Sequence, residues 1–209
     1  MISILNIGNS NVRAFHHILE DLNIPNQIID SPNQMTNISH LILPGVGSFD
    51  DVMGRLNDGG FTDQLHALKS NTDVKILGVC AGMQVLFSSS EEGKLPGLNW
   101  IAGIVKKIEC EDVLRTNLRV PHMGWNSINA ANSSGLFHGI QKQRFYFLHS
   151  YSCVPDSVKP ITATVQYGSE LVAAVQSNNV FGVQFHPEKG HSQGRKLLMN
   201  FYGRGHGKL

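Results

Sequence analysis

Residues 74–88, Val-Lys-Ile-Leu-Gly-Val-Cys-Ala-Gly-Met-Gln-Val-Leu-Phe-Ser, leave the chain few options. An apolar run with strand character ends in Gly78-Val79-Cys80-Ala81-Gly82, and a helical pattern begins at once. Gly-x-Cys-x-Gly at a strand-to-helix junction has the shape of a nucleophile elbow. The central residue is forced into a strained turn, and its neighbours are small enough for substrate to approach. A helix over Ala81–Phe87 would aim its N-terminus at the thiol and favour the thiolate, the reactive form. The same five residues also fit a buried cysteine that ends a strand between two turn glycines. What decides between these readings lies about a hundred residues further on.

The first half alternates strand and helix patterns. Ile2–Ile7 reads as a buried strand, and Val12, Phe15, Ile18, Leu19 and Leu22 have helical spacing up to a stop at Pro25. Gln27–Ile29 and His40–Leu43 read as strands, Phe49–Leu56 and Phe61–Leu68 as helices, and Val74–Val79 as the strand before the elbow. This order predicts an open, mainly parallel α/β sheet with helices on both faces. Active sites of such sheets sit beyond the carboxyl ends of the strands, where Pro44-Gly45-Val46-Gly47 and Cys80 both fall. The second half changes character. Trp100–Ile108, Phe145–Ser152, Ile161–Tyr167, Leu171–Gln176 and Val180–Phe185 are short and rich in β-branched or aromatic residues, with hairpin signals at Tyr167–Glu170 and Ser177–Asn179. Additional antiparallel strands are expected there, then a closing helix over Gly194–Tyr202 and a loose basic tail over Gly203–Leu209.

A length of 209 residues suits a single domain over 1–209. The 17 Lys and Arg against 16 Asp and Glu give neither a nucleic-acid footprint nor a polybasic membrane patch. No run is apolar for long enough to span a bilayer, and Met1–Gly8 lacks the basic and apolar regions of a signal peptide. Cys80, Cys110 and Cys153 are odd in number and not in a metal spacing, which fits a reduced cytoplasm. The ten histidines are mostly isolated, so no metal site is expected.

The deciding residues follow the strand Val180–Phe185. In His186-Pro187-Glu188 the proline fixes the backbone, and alternation along an extended segment puts both flanking side chains on one side. A carboxylate beside a histidine fixes its tautomer while the histidine exchanges a proton with a thiol. Cys80, His186 and Glu188 therefore read as nucleophile, general base and acid, and orienting carboxylate. They meet only if the two strands are neighbours. Acyl transfer also needs donors aimed at the tetrahedral oxygen. The N–H of Ala81 is one candidate, and Val46 and Gly47 in the Pro44–Gly47 turn are the others.

With these motifs in place the chain resembles the class I (triad) glutamine amidotransferases. The likeness rests on Gly78–Gln84, Pro44–Gly47 and Gln184-Phe185-His186-Pro187-Glu188-Lys189. Pro121-His122-Met123-Gly124-Trp125-Asn126 and Tyr146–Tyr151 narrow it to the glutaminase subunits of imidazole glycerol phosphate synthases. The resemblance implies hydrolysis of L-glutamine through a thioester on Cys80, without cofactor or metal. It implies that Gln84 and Glu92 help hold the amino-acid end of glutamine, with Gly47 and the backbone at Ser150 and Tyr151 assisting. It implies a heterodimer with a (β/α)₈-barrel cyclase of histidine biosynthesis that receives the ammonia through a tunnel, contacted by Pro121, His122, Met123, Trp125 and Lys189. Read without the family, Glu92 fits a solvated surface residue equally well, and Trp125, in a loop holding Pro121 and Gly124, fits an exposed interface residue or one capping the core.

Three segments depart from the usual pattern: Asn6–Asn11, Lys189-Gly190 and Gly97-Leu98-Asn99-Trp100. They leave open a paralogue that feeds ammonia to a sugar of surface-polysaccharide synthesis. A γ-glutamyl peptidase on the same scaffold and a non-catalytic interaction or redox module built on Cys80 are the other readings. The intact Cys, His and Glu set argues against the last.

Overall fold

Ile2–Leu5 (β1) is buried along its whole length, as a central parallel strand covered on both faces must be. It lies between β2 (Asn26–Ile29) and β3 (His40–Gly45), parallel to both, and β3 runs parallel to β4 (Lys75–Cys80). The computed structural model describes residues 1–8, 10–109, 119–130, 135–141 and 143–203; Cys110 and the expected loose tail beyond Gly203 lie outside them. The remaining strands are β5 (Ser89–Ser90), β6 (Gly103–Lys107), β7 (His122–Ala130), β8 (Arg144–His149), β9 (Tyr151–Pro155), β10 (Ile161–Tyr167), β11 (Ser169–Ser177) and β12 (Val180–Val183). One nine-stranded sheet has the order β2-β1-β3-β4-β12-β11-β10-β7-β8, and a three-stranded sheet the order β5-β6-β9. The large sheet is parallel from β2 to β12 and antiparallel beyond, so the expected division of the chain holds.

Helices cover both faces. On one side α2 (Phe49–Asp58) and α3 (Thr62–Ser70) pack Phe49, Val52, Leu56 and Leu65 against Leu5, Leu43 and Ile76. On the other, α1 (Val12–Asp21) and α5 (His191–Tyr202) bring Phe15, Leu19, Leu197 and Phe201 to Ile4, Ile42 and Val79. Helix α1 stops where Asn23 takes a left-handed conformation, φ 52°, two residues ahead of Pro25. Ser48 caps α2 by accepting the Asp51 N–H at 3.2 Å, with Asp50 and Asp51 in the favoured first turn.

Three local expectations are corrected. The helix after Cys80, α4, is a single turn, Ala81–Gln84, and not a helix to Phe87. Val85 N–H still bonds Ala81 O, but Leu86 and Phe87 N–H bond Met83 O and Gln84 O only three residues back, so the turn tightens and ends. Beyond it the carbonyls of Val85, Leu86 and Phe87 accept from Leu98, Trp100 and Asn99. Residues 145–152 do not form one strand. His149 ends β8 opposite His122, Tyr151 begins β9 opposite Lys107, and the chain passes between the two sheets at Ser150. The segment 121–126, expected as a loop, is mostly the start of β7.

Candidate active site

Cys80 sits at the carboxyl end of β4 with φ 56° and ψ −116°, a conformation ordinary L residues avoid. Its neighbours have to be small. A Cβ on Gly78 would lie 2.4 Å from Gly82 O, and one on Gly82 would lie 2.0 Å from Leu43 O. The elbow is therefore wedged against the end of β3, where Gly45 pairs with Cys80. As the first residue of α4, Ala81 presents an N–H with no intrahelical acceptor. The anticipated support from a long helix dipole falls away, and what remains is the donor groups of one turn.

Strand β12 lies parallel to β4, Val183 opposite Val79, so the chain leaving β12 arrives beside Cys80. The His186 N–H donates to Tyr146 O at 2.9 Å, and its Nδ1 lies 2.8 Å from Glu188 Oε1. This contact arises differently from the expectation. Pro187–Lys189 form a 3-10 turn, and that turn, not extended alternation, folds the carboxylate back onto the ring. Cys80 and Glu188 are the two groups that act on the ring to raise its pKa. With Nδ1 engaged by Glu188, Nε2 is the nitrogen left for sulfur. Burial alone would lower the pKa of His186, but the hydrogen bonds to Cys80 and Glu188 and their negative charges outweigh it and raise it to about 10. Imidazolium is thus the favoured form between these two partners.

Two groups around the sulfur were not anticipated. Leu148 O lies 3.8 Å from Sγ, and Gln184 Nε2, fully buried, lies 3.8 Å from it on another side. Gln184 Oε1 accepts from Gln84 Nε2 at 3.1 Å, which turns the Gln184 amide N–H toward sulfur. The signal was present in the sequence: a glutamine two residues before His186, in an otherwise apolar strand, shares the histidine's face.

A cavity of about 240 Å³ opens at the thiol, lined by Gly47, Cys80, Ala81, Gln84, Glu92, Pro121, Leu148, His149, Ser150 and Tyr151. It is smaller than the ~300–1,000 Å³ typical of drug-sized ligands and suits one of amino-acid size. Every residue expected to hold the substrate lines it. Gln84 spends its amide N–H groups on Tyr151 O and Gln184 Oε1, both at 3.1 Å, and has its carbonyl oxygen to offer a ligand. Glu92 accepts the Phe49 N–H through Oε2 at 2.8 Å, so it is anchored and not a loose surface carboxylate. Val46 is 46 % exposed and does not line the cavity, whereas Gly47 does, with φ 108°. A larger cavity, about 790 Å³, borders Trp125, Arg144 and His191 but contains neither thiol nor carboxylate. The chemistry belongs to the smaller one.

The residues assigned to a partner surface divide by strand alternation. Met123 at 60 % and Trp125 at 37 % are exposed on one face of β7, and Pro121 just before the strand is exposed as well. His122, on the other face, is 0 % exposed, so it cannot touch a partner, and that assignment is corrected. Lys189 is exposed, its Nζ 4.7 Å from the centre of the Tyr146 ring. Trp125 stacks on His191 at 5.5 Å and meets Tyr146 edge-on at 5.9 Å. The exposed face of β7 therefore meets the start of α5 and, through Tyr146, the loop that carries His186 and Glu188.

Several histidines are held neutral. Burial lowers His149 to about 3, opposed by its bond to Tyr151 O, and lowers His122 to about 4. Burial, then the charges of Lys75 and the N-terminus, lower His40 to about 4. Each folded pKa lies below its unfolded value, so the stability from neutrality is complete above about 6.5 and is lost as pH falls toward 4. The unfolding midpoint in urea is expected to drop as pH goes from 7 to 5, before most carboxylates protonate, with His149 contributing at most ~1.4 kcal/mol per pH unit. A midpoint constant over that range would contradict the assignment. Among the described residues, no group of three or more His, Cys, Asp or Glu could hold a metal ion, and no helix is long and apolar enough to cross a membrane.

Known proteins resemble this chain in sequence and in fold. The family model described as glutamine amidotransferase class-I matches residues 3–204. The chain is 44 % identical over 202 residues to the imidazole glycerol phosphate synthase subunit HisH of Leptospira interrogans, covering 96 % of this chain and 98 % of that one. It is 43 % identical to the same subunit of Bdellovibrio bacteriovorus with the same coverage. A crystal structure titled glutamine amidotransferase superposes with TM-score 0.74 at 16 % identity, covering 97 % of this chain and 98 % of that one. The PurLQS structure from Thermotoga maritima superposes with TM-score 0.73 at 19 % identity, covering 97 % of each chain; both likenesses concern the fold alone. On a match that spans nearly its whole length, the chain belongs to the class I glutamine amidotransferases.

Proposed function

We propose that this chain is the glutaminase subunit of an imidazole glycerol phosphate synthase, releasing ammonia from L-glutamine for a cyclase partner in histidine biosynthesis. The observation that carries the proposal is the strained Cys80 at the mouth of an amino-acid-sized cavity, on the strand next to the one that delivers His186, whose imidazole is hydrogen-bonded to Glu188. In this reading Cys80 Sγ attacks the carboxamide carbon of glutamine. The charge that develops on oxygen is met by the Ala81 N–H and by a donor from Val46 or Gly47. His186 gives its proton to the departing nitrogen, ammonia leaves, and a γ-glutamyl thioester remains on sulfur. Water, deprotonated by His186, cleaves the thioester to glutamate and the free thiol. Glu188 keeps the ring oriented and stabilises imidazolium in both steps. Glu92 and the carbonyl oxygen of Gln84 would receive the substrate ammonium, since both are acceptors anchored at the cavity wall.

The partner in this reading is a (β/α)₈ barrel docked on Pro121, Met123, Trp125 and Lys189. Exposed aromatic and sulfur-containing side chains on one strand face support that choice. The free thiols of Cys80 and Cys153 fit the reduced cytoplasm, and the family match across 3–204 supports treating the chain as one catalytic unit. The test is glutamate production with and without the barrel cyclase and its nucleotide ligand. One oxyanion donor is worth on the order of a hundred- to a thousand-fold in rate. The isolated chain is expected to be slow and the complex faster by that factor. Rapid hydrolysis by the chain alone, indifferent to partner and ligand, would sink the proposal.

A further inference from the structure

The two most deeply buried histidines outside the catalytic pair touch each other, and their protons can be placed. His149 Nδ1 lies 2.8 Å from Tyr151 O. A carbonyl only accepts, so Nδ1 of His149 carries hydrogen and its Nε2 carries a lone pair. That lone pair is 2.9 Å from His122 Nδ1, which must therefore carry hydrogen too. His122 Nε2 is then an acceptor, and Asn126 Nδ2 stands 2.6 Å away to donate. The polarity is fixed from end to end: Asn126 to His122 to His149 to the Tyr151 carbonyl. Both rings are neutral in this arrangement, in keeping with their lowered pKa values, because an added proton would set two N–H groups against each other.

The chain ends in the catalytic cavity. Tyr151 O accepts from Gln84 Nε2 as well, Gln84 bonds Gln184, and Gln184 points its amide at Cys80 Sγ. The carbonyl is the meeting point of a network from β7 and a network from sulfur. It sits one residue past Ser150, where the backbone has just left one sheet for the other and no ladder pairing constrains it from the β8 side. We propose that His122 and His149 are positioning residues, which hold the Ser150–Tyr151 backbone and the Gln84 side chain in the orientation that binds glutamine. Neither ring touches the reacting atoms in this account. It rests on the glutaminase reading above and assigns a task to residues that reading leaves idle.

Packing and hydrogen bonding at His122 can be separated. Its ring stacks on Phe147 at 4.5 Å and on Tyr167 at 4.0 Å. His122→Phe keeps a stackable ring and removes the donor, whereas His122→Asn gives up the stack and keeps an amide N–H where Nδ1 was. Both are to be compared with the wild-type complex with the cyclase, reading KM and kcat for glutamine and the rate at which iodoacetamide alkylates Cys80. His122→Phe is expected to raise KM about tenfold with kcat and alkylation little changed, and His122→Asn to keep KM within about threefold of wild type. The reverse ranking, or equal effects of the two, would overturn the proposal in favour of packing. A wild-type complex that makes no glutamate would instead defeat the glutaminase reading. A variant-free check is the ¹⁵N spectrum of the imidazoles in the wild-type chain, where both rings must be the Nδ1–H tautomer. An Nε2–H tautomer at either ring would overturn the assignment whatever the kinetics.

Discussion

Cys80→Ser is expected to abolish glutamine-dependent synthesis by the complex while leaving ammonia-dependent synthesis at the wild-type rate. Oxygen at this position is a far weaker nucleophile near neutral pH than sulfur. Losing one member of a hydrolytic triad costs at least about a thousand-fold and in the best-studied protease about a million-fold in kcat. Glutamate release should fall to a small remnant sustained only by substrate binding and the oxyanion donors. His186→Ala should reach a similar floor, and combining the two should cost little more, because nucleophile and base act as one unit. The measurement is a pair of assays on the same preparation, one fed with glutamine and one with ammonium salt. If the serine variant retained more than a few per cent of glutamine-dependent turnover, Cys80 would not be the nucleophile. If both assays failed together, the substitution would have damaged docking or folding, and the chemistry would be untested until the fold was checked.

Gly82→Ala should unsettle both the elbow and the neighbouring end of β3. The added Cβ would come 2.0 Å from Leu43 O and 3.2 Å from Gly45 N, and these are backbone atoms with no rotamer to retreat into. Relief requires moving the end of β3 away from the elbow, which carries Val46 and Gly47 with it. Overpacking of this kind costs ~1–3 kcal/mol or more, equivalent to a melting temperature lower by about 2–4 °C per kcal/mol for a chain of this size. Glutaminase activity should fall further than the lost stability explains, since the displaced turn is the proposed source of an oxyanion donor. Gly54→Ala is the control. It lies inside α2 with nothing within 4 Å of the new Cβ, and should raise stability by ~0.5–1 kcal/mol. Equal melting temperatures for the two alanine variants would show that the elbow is not wedged as described.

What could be read from the residues divides along the range of the interactions. Strands and helices of the first half follow from local periodicity, and Asn26–Ile29, Phe49–Asp58 and Thr62–Ser70 fall within a few residues of their expected bounds. The Gly-x-Cys-x-Gly elbow was legible because its strain is local. The neighbourhood of β4 and β12 was only inferred from the chemistry of His-Pro-Glu, since nothing in either strand names its partner. Features set by distant partners were missed. Past Gln84 the chain of α4 tightens and turns aside to pair with residues 98–100, and Ser150 interrupts an apolar run because its two flanks pair with strands in different sheets. His122 was placed on a surface because its neighbours Met123 and Trp125 belong there. Had β7 been recognised as a strand, period two would have turned His122 inward at once. Its bond to His149 was beyond reach, because it needs the register of β7 against β8.

The position of β12 has a consequence for synthesis. This strand follows β4 by about a hundred residues of chain and fills the slot between β4 and β11, so β4 is left with a bare edge while those residues emerge. An unpaired, apolar edge of that kind invites wrong partners. The thiol-bearing turn is therefore made first, and its imidazole and carboxylate arrive about a hundred residues later. A ribosome that stops short of Val180 leaves a reactive cysteine on an open sheet with no base beside it, and such fragments are natural clients for chaperones and proteases.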